Sequence, residues 1–226
     1  MERRIVIFSG RFGSGKTEIS INYALSLVGR TGDGRRPILI DLDIVTPYFR
    51  TRELAEGLSK EGVEVVAPAA IAQHLDTPGI TPEIMGAIQQ PDRPVVMDVG
   101  GDAQGARALG QFARVLEKQG YTMNFVVNPH RPFTDSVGGI VRAVAEIQST
   151  ARLQVTALVS NPNLMQETTI DLVMGGHRLV EEAAEELDLP VAFVSLRADL
   201  AAKVTAAAFS QPLMSLRRFF VMPWEE

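Results

Sequence analysis

Apolar residues along this chain follow two alternating rhythms. Short, nearly continuous runs of β-branched and aliphatic residues occur at Arg4–Ser9, Pro37–Asp41, Val63–Ala67, Pro94–Asp98, Thr122–Val127, Gln154–Ser160 and Pro190–Ser195. Unbroken apolarity of this kind predicts strands covered on both faces. Between them, Lys16–Val28, Thr51–Lys60, Pro82–Gln89, Ala103–Lys118, Thr134–Gln148 and Glu167–Leu187 read as helices. In the last of these, Leu179, Val180, Ala183, Ala184 and Leu187 recur at helical spacing on an acidic, alanine-rich background. Strand–helix alternation implies right-handed crossovers and a mostly parallel sheet. The expected architecture is one α/β domain over residues 1–226, a three-layer αβα sandwich around a sheet of roughly seven strands. The most polar connection, Gly29–Arg36, reads as a solvated turn. Ligands of such sheets bind at the carboxyl ends of strands, so chemistry is sought in the loops that follow them.

Composition narrows the classes. Hydrophobic residues make up 46%, which is ordinary for a soluble globular chain. Twenty-two basic against 27 acidic residues give a net charge of −5, which disfavours a broad nucleic-acid-binding surface. The chain has no cysteine, so disulfides, thiolate metal sites and cysteine nucleophiles are excluded. Its three histidines, His74, His130 and His177, are too far apart in sequence to suggest a histidine metal site. A strand starting at Arg4 leaves no room for a signal peptide, and no apolar run approaches the roughly 18 residues of a membrane span. A cytoplasmic location is expected.

The first predicted strand runs into Gly10-Arg11-Phe12-Gly13-Ser14-Gly15-Lys16-Thr17, which satisfies G-x-x-x-x-G-K-S/T between a strand and a helix. Glycines there clear the way for backbone N–H groups to converge on phosphate oxygens, and the following helix aims its N-terminus at them. Lys16 would neutralise β/γ-phosphate charge and Thr17 would hold Mg²⁺. The sequence therefore reads as a P-loop that binds a nucleoside triphosphate.

Three later strand ends add candidate groups. The second closes on Asp41-Leu42-Asp43, two carboxylates of which one would orient the attacking water and the other would bind Mg²⁺ or its waters. The fourth closes on Asp98-Val99-Gly100-Gly101, a Walker B aspartate followed by a glycine placed to sense the γ-phosphate. Asp76-Thr77-Pro78-Gly79 matches the same D-x-x-G pattern, but the strand before Asp98 is the better one, so Asp98 is preferred. The fifth and sixth strands exit at Asn128 and Asn161, either of which would suit an adenine edge, since an amide both donates and accepts. Neither loop has the N-K-x-D guanine pattern, which favours ATP over GTP. Arg50 and Arg52 would serve as phosphate-contacting arginines or as surface charges, and Arg131 reads as a solvated loop charge.

With these motifs in place, the chain resembles the MinD/ParA (SIMIBI) class of P-loop ATPases, whose relatives include the nitrogenase iron protein. The resemblance rests on Gly10–Thr17, Asp41-Leu42-Asp43, Asp98–Gly101 and Asn161 after a late strand. It is closest to a stand-alone ATP-binding branch with a G-S-G-K-T-E loop, here Gly13–Glu18, and a D-L-D-I-V-x-P-Y-F-R switch, here Asp41–Arg50. The resemblance implies ATP and Mg²⁺ as ligands, Asp43 as the hydrolytic switch aspartate, and ATP-dependent face-to-face dimers serving a protein client. It places Lys16, Asp43 and Asp98 in catalysis, and Thr17, Asp43 and Asp98 at the metal. Gly10 through Glu18, Gly101 and Asn161 would line the nucleotide. Arg11 stands where the class keeps its signature lysine, and Phe12 where it keeps a second glycine. Arg11 would either supply that charge or face solvent.

Three rivals remain: a metallochaperone-type GTPase, a small-molecule kinase or ligase on the same fold, and a module that holds ATP without hydrolysing it. The C-terminal stretch Leu213–Trp224 is apolar with Arg217 and Arg218. It is expected to form a terminal helix on the sheet; two basic residues give a membrane anchor only about 2 kcal/mol.

Overall fold

The computed structural model describes residues 3–30, 34–43, 54–66, 82–205 and 208–220. Eight strands, β1 (Ile5–Ser9), β2 (Ile38–Leu42), β3 (Glu64–Val66), β4 (Val95–Val99), β5 (Tyr121–Val127), β6 (Ala157–Ser160), β7 (Val191–Arg197) and β8 (Leu213–Leu216), form one sheet in the order β3-β2-β4-β1-β5-β6-β7-β8. Every pairing is parallel. The chain leaves β1 toward β2 on one side and later crosses to β5 on the other. β1 therefore lies at the reversal of strand order, where the carboxyl-end crevice of such a sheet opens.

Two helical layers cover the sheet. On one face lie α3 (Pro82–Gln89), α4 (Ala103–Gly110), α5 (Ala113–Gln119), α6 (Val137–Ala151) and α7 (Ile170–Leu187), packed on Ile5, Ile7, Ile40, Met97, Phe125 and their neighbours. The other face packs Val6, Phe8, Leu39 and Val96 against α1 (Lys16–Ser26) and α2 (Ala55–Lys60). A four-residue helix, α8 (Ala198–Ala201), follows β7. Side chains such as Phe8, Ile7 and Ile40 have no solvent exposure. Each contributes about 1.5–3 kcal/mol of burial.

The three-layer sandwich is as the apolar runs predict, with two local differences. Leu213–Leu216 is an eighth strand beside β7, not part of a terminal helix. The segment is held by pairing with β7, and the Pro212 carbonyl accepts the Val194 N–H at 2.9 Å. The span 103–118 is two helices rather than one. Gly110 lies so close to the end of α6 that a β-carbon there would be 3.1 Å from the Ala151 carbonyl oxygen, and Phe112 then turns into the core.

Candidate nucleotide-binding site

β1 ends at Ser9, and the loop that follows turns through left-handed glycines before α1 begins at Lys16. Gly15, at φ 86°, is the N-cap residue and supplies no side-chain cap, so the first amides of α1 are left for an outside acceptor. That combination of amides and helix dipole suits a phosphate. The loop is braced from below. Asn161, just past β6, donates from Nδ2 to the Ser14 carbonyl at 2.6 Å and accepts from Ser195 Oγ at 2.9 Å. A β-carbon on Gly15 would stand 2.3 Å from that Nδ2. Asn128 donates to the Asn163 carbonyl at 2.8 Å and to the Gly13 carbonyl at 3.4 Å, while its Oδ1 accepts from the amides of His130 and Asn163. Both asparagines are buried and turned inward. In this structure the two asparagines expected to suit a base edge instead brace the loop backbone.

Behind the loop sits a compact charge cluster. Lys16 Nζ lies 3.0 Å from Asp43 Oδ2, with both side chains buried. Asp41 pairs with Asp98 in the β2–β4 register, so their carboxyls share the face that α1 covers. Asp41 Oδ1 accepts the Asp43 N–H at 3.0 Å. Ser20, one turn after Lys16, donates to the Lys16 carbonyl at 2.8 Å and approaches Asp98 Oδ1 at 3.4 Å. Burial pushes the Asp98 pKa up to about 7; Asp41 and Asp43 add to the rise, while Lys16 and the Thr17 hydroxyl oppose it. Burial alone would lower the Lys16 pKa, but the nearby carboxylates Asp98, Asp43 and Asp102 outweigh it and hold the ammonium above its ordinary value.

The cluster fits Mg²⁺. Among the described residues no three carboxylates or histidines form a protein cage. Mg²⁺ needs none here, since it commonly keeps several waters and binds through substrate phosphates plus one or two protein oxygens. Thr17 supplies a hydroxyl, and Asp98 Oδ2 is buried without a hydrogen-bond partner, an acceptor that a hydrated cation would satisfy.

Gly101 presses on the loop itself. A β-carbon there would meet the Gly10 carbonyl oxygen at 2.4 Å and the Phe12 nitrogen at 2.8 Å. One residue later, Asp102 caps α4 by accepting from the amides of Gln104 and Gly105 at 2.6 and 3.0 Å. A cavity of about 90 Å³ lined by Gly10, Gly101, Asp102, Ala106 and Glu146 lies beside this segment.

Two expected nucleotide-lining residues are engaged elsewhere. The Arg11 guanidinium pairs with Glu146 on α6 and lies 5.8 Å from the Phe133 ring centre, in a partly exposed ion pair within the chain. Its neighbour Phe12 is 71% exposed. Glu18 faces the C-terminal segment: its carboxylate accepts the N–H groups of Phe219 and Phe220 at 3.0 Å. Asn22 pairs both ways with the Arg217 backbone, at 2.8 and 2.9 Å. His177 is buried between Ser160 and Gln211, at 3.1 and 3.0 Å. Ser20, Asn22, Asn163 and Ser195 were not singled out from the sequence; only Ser20, at i+4 from Lys16, carried a local signal. Ile44–Arg50, Arg52, His74 and Asp76–Gly79 lie outside the described residues.

No protein-family model matches this chain, and no curated protein matches it. Solved structures do. Cell division protein FtsY from Thermotoga maritima superposes with a TM-score of 0.53 at 19% identity, covering 86% of this chain and 62% of that one. Chloroplast FtsY from Physcomitrella patens gives 0.55 at 19%, covering 86% and 58%. The chain has the fold of FtsY. The signal recognition particle receptor FtsY from Elizabethkingia anophelis, solved in complex with GDP, gives 0.53 at 16%, again covering 86% and 58%. The chain thus spans about three-fifths of the length of these structures. The likeness supports the fold: an open, mostly parallel α/β sheet flanked by helices. No described helix is long and apolar enough to cross a membrane.

Proposed function

We propose that this chain binds Mg-ATP and hydrolyses it slowly as a nucleotide-dependent switch of the MinD/ParA type. The observation that carries the reading is the buried Lys16–Asp43 pair beneath the uncapped start of α1. Without nucleotide, Asp43 occupies the ammonium that a phosphate would claim. Phosphate binding draws Lys16 away and leaves Asp43 free to orient the attacking water. Thr17 and Asp98 would hold Mg²⁺, which when bound neutralises charge on the β/γ oxygens. Gly101, seated on Gly10–Phe12, relays occupancy through the Asp102 cap to α4.

The GDP bound by one FtsY neighbour makes guanine the competing base. The test is a competition titration of ATP against GTP, followed by turnover of Asp43→Ala. ATP preference is expected, with hydrolysis reduced by roughly 10²–10⁴-fold while binding persists. Undiminished turnover in that variant removes Asp43 from the mechanism, and GTP preference moves the chain to the guanine reading. A nucleotide-dependent homodimer and a protein client complete the proposal. Because Glu146 already engages Arg11, any reach of Arg11 into a partner requires that pair to open. Oligomeric mass with ADP and with a non-hydrolysable ATP analogue measures that step.

A further inference from the structure

The cation at the signature-lysine position is engaged within its own chain, but a second arginine lies against the loop with no counter-charge among the described residues. Arg131 belongs to the connection after β5. Its side chain runs against Gly13 so closely that a β-carbon on that glycine would stand 3.1 Å from Arg131 Nε and 3.4 Å from its Cδ. Gly13, at φ 76°, permits both the turn and this approach. Arg131 Nε is buried and has no hydrogen-bond partner. Among the described residues no carboxylate pairs with this guanidinium, whereas Arg11, Arg93 and Arg217 each have one.

The placement is rigid. Arg131 N donates to the Asn128 carbonyl at 3.1 Å, and Asn128 in turn holds the Gly13 carbonyl. Buried Thr134 closes the turn with its hydroxyl on the Asn128 and Arg131 carbonyls, at 2.8 and 3.3 Å. Phe133 takes a left-handed φ of 71°, costly for a non-glycine residue and sustained here by the surrounding bonds. A planar fork of donors, held over a phosphate-type loop with no anion among the described residues, is complementary to an anion brought by the ligand.

We propose that Arg131 contacts the terminal phosphate of the bound nucleotide, supplied in cis by the β5 loop. The terminal end is indicated because Gly13 adjoins Phe12, where Gly101, the expected γ-phosphate reporter, makes its contact. The assignment rests on the nucleotide reading above. It does not depend on a second copy of the chain.

The experiment compares wild type, Arg131→Ala and Arg131→Lys for affinity toward ADP and a non-hydrolysable ATP analogue, for ATP turnover, and for thermal midpoint without nucleotide. Arg131→Ala should weaken the analogue roughly 10- to 100-fold, as for a lost charge-assisted hydrogen bond. ADP affinity and thermal midpoint should change little. Turnover should fall in parallel with analogue affinity, and Arg131→Lys should recover part of both, since it restores charge without the fork. Equal weakening of ADP and analogue, or a drop in midpoint that accounts for both, overturns the assignment in favour of a structural role. Unchanged analogue affinity and turnover in Arg131→Ala overturns it as well. If wild type binds neither nucleotide, the nucleotide reading fails and this one fails with it.

Discussion

The two faces of strands β1, β2 and β4 are built from the same residues in alternation, yet they do different work. Toward α3–α7 the strands show Ile5, Ile7, Ile38, Ile40, Leu42, Val95, Met97 and Val99, an unbroken aliphatic surface. Toward α1 they begin alike, with Val6, Leu39 and Val96, and then end on Asp41 and Asp98. Burying a carboxylate in such a layer is unfavourable unless a cation or hydrogen-bond donors compensate it. Compensation here comes from Lys16, Thr17 and Ser20, all on the first turns of α1. One face thus stabilises the sheet, and the other holds charge in readiness for a ligand.

Substitutions should separate the two faces sharply. The largest effect is expected from Lys16→Ala, which leaves Asp43 buried without its cation. Stability should fall by about 3–5 kcal/mol in urea unfolding, and ATP affinity by roughly 100-fold or more. A second break is by pH, in protein free of nucleotide and metal. The Asp98 pKa is raised from 3.8 to about 7, so the folded state binds more protons than the unfolded chain in that interval. Stability is greatest at the acid end of the window and falls as pH rises through it, by on the order of 4 kcal/mol. Asp98→Asn should flatten that slope while losing Mg²⁺-dependent turnover; a slope that survives the substitution assigns it elsewhere. On the opposite face, Met97→Ala should cost about 3 kcal/mol with nucleotide affinity unchanged. A large loss of affinity there would erase the distinction between the faces. The smallest effect is expected from Glu18→Ala, about 1 kcal/mol, with faster amide hydrogen exchange at Phe219 and Phe220 as its signature.

What the sequence revealed follows from the range of the forces involved. Continuous apolar runs and a loop of fixed spacing are local, so the strands, the sandwich and the placement of Lys16, Thr17 and Asp98 were readable. Asp98 was preferred to Asp76 for the same reason, since Pro94–Met97 is the better strand, while Asp76 lies outside the described residues. Contacts across the fold were not readable. Nothing beside Asn161 announces that its amide holds the Ser14 carbonyl 147 residues earlier. Glu18 resembles part of a nucleotide loop until Phe219 and Phe220 are seen to occupy it. Arg131 looks like any loop charge until Gly13 is found beneath it. The strand at Leu213–Leu216 is four residues long and paired only at one edge, too short for its pattern to distinguish it from an apolar helix turn.

The clasp between Glu18 and Phe220 joins positions 202 residues apart, and this has a consequence for how the protein is made. The loop and α1 leave the ribosome about 200 residues ahead of the segment that seats Glu18. At typical rates of synthesis the delay is roughly 10–40 s. Throughout that interval α1 carries the full Gly-Lys-Thr-Glu motif without the partner that closes its outer side. The helix that bears the motif is completed only when that later segment arrives.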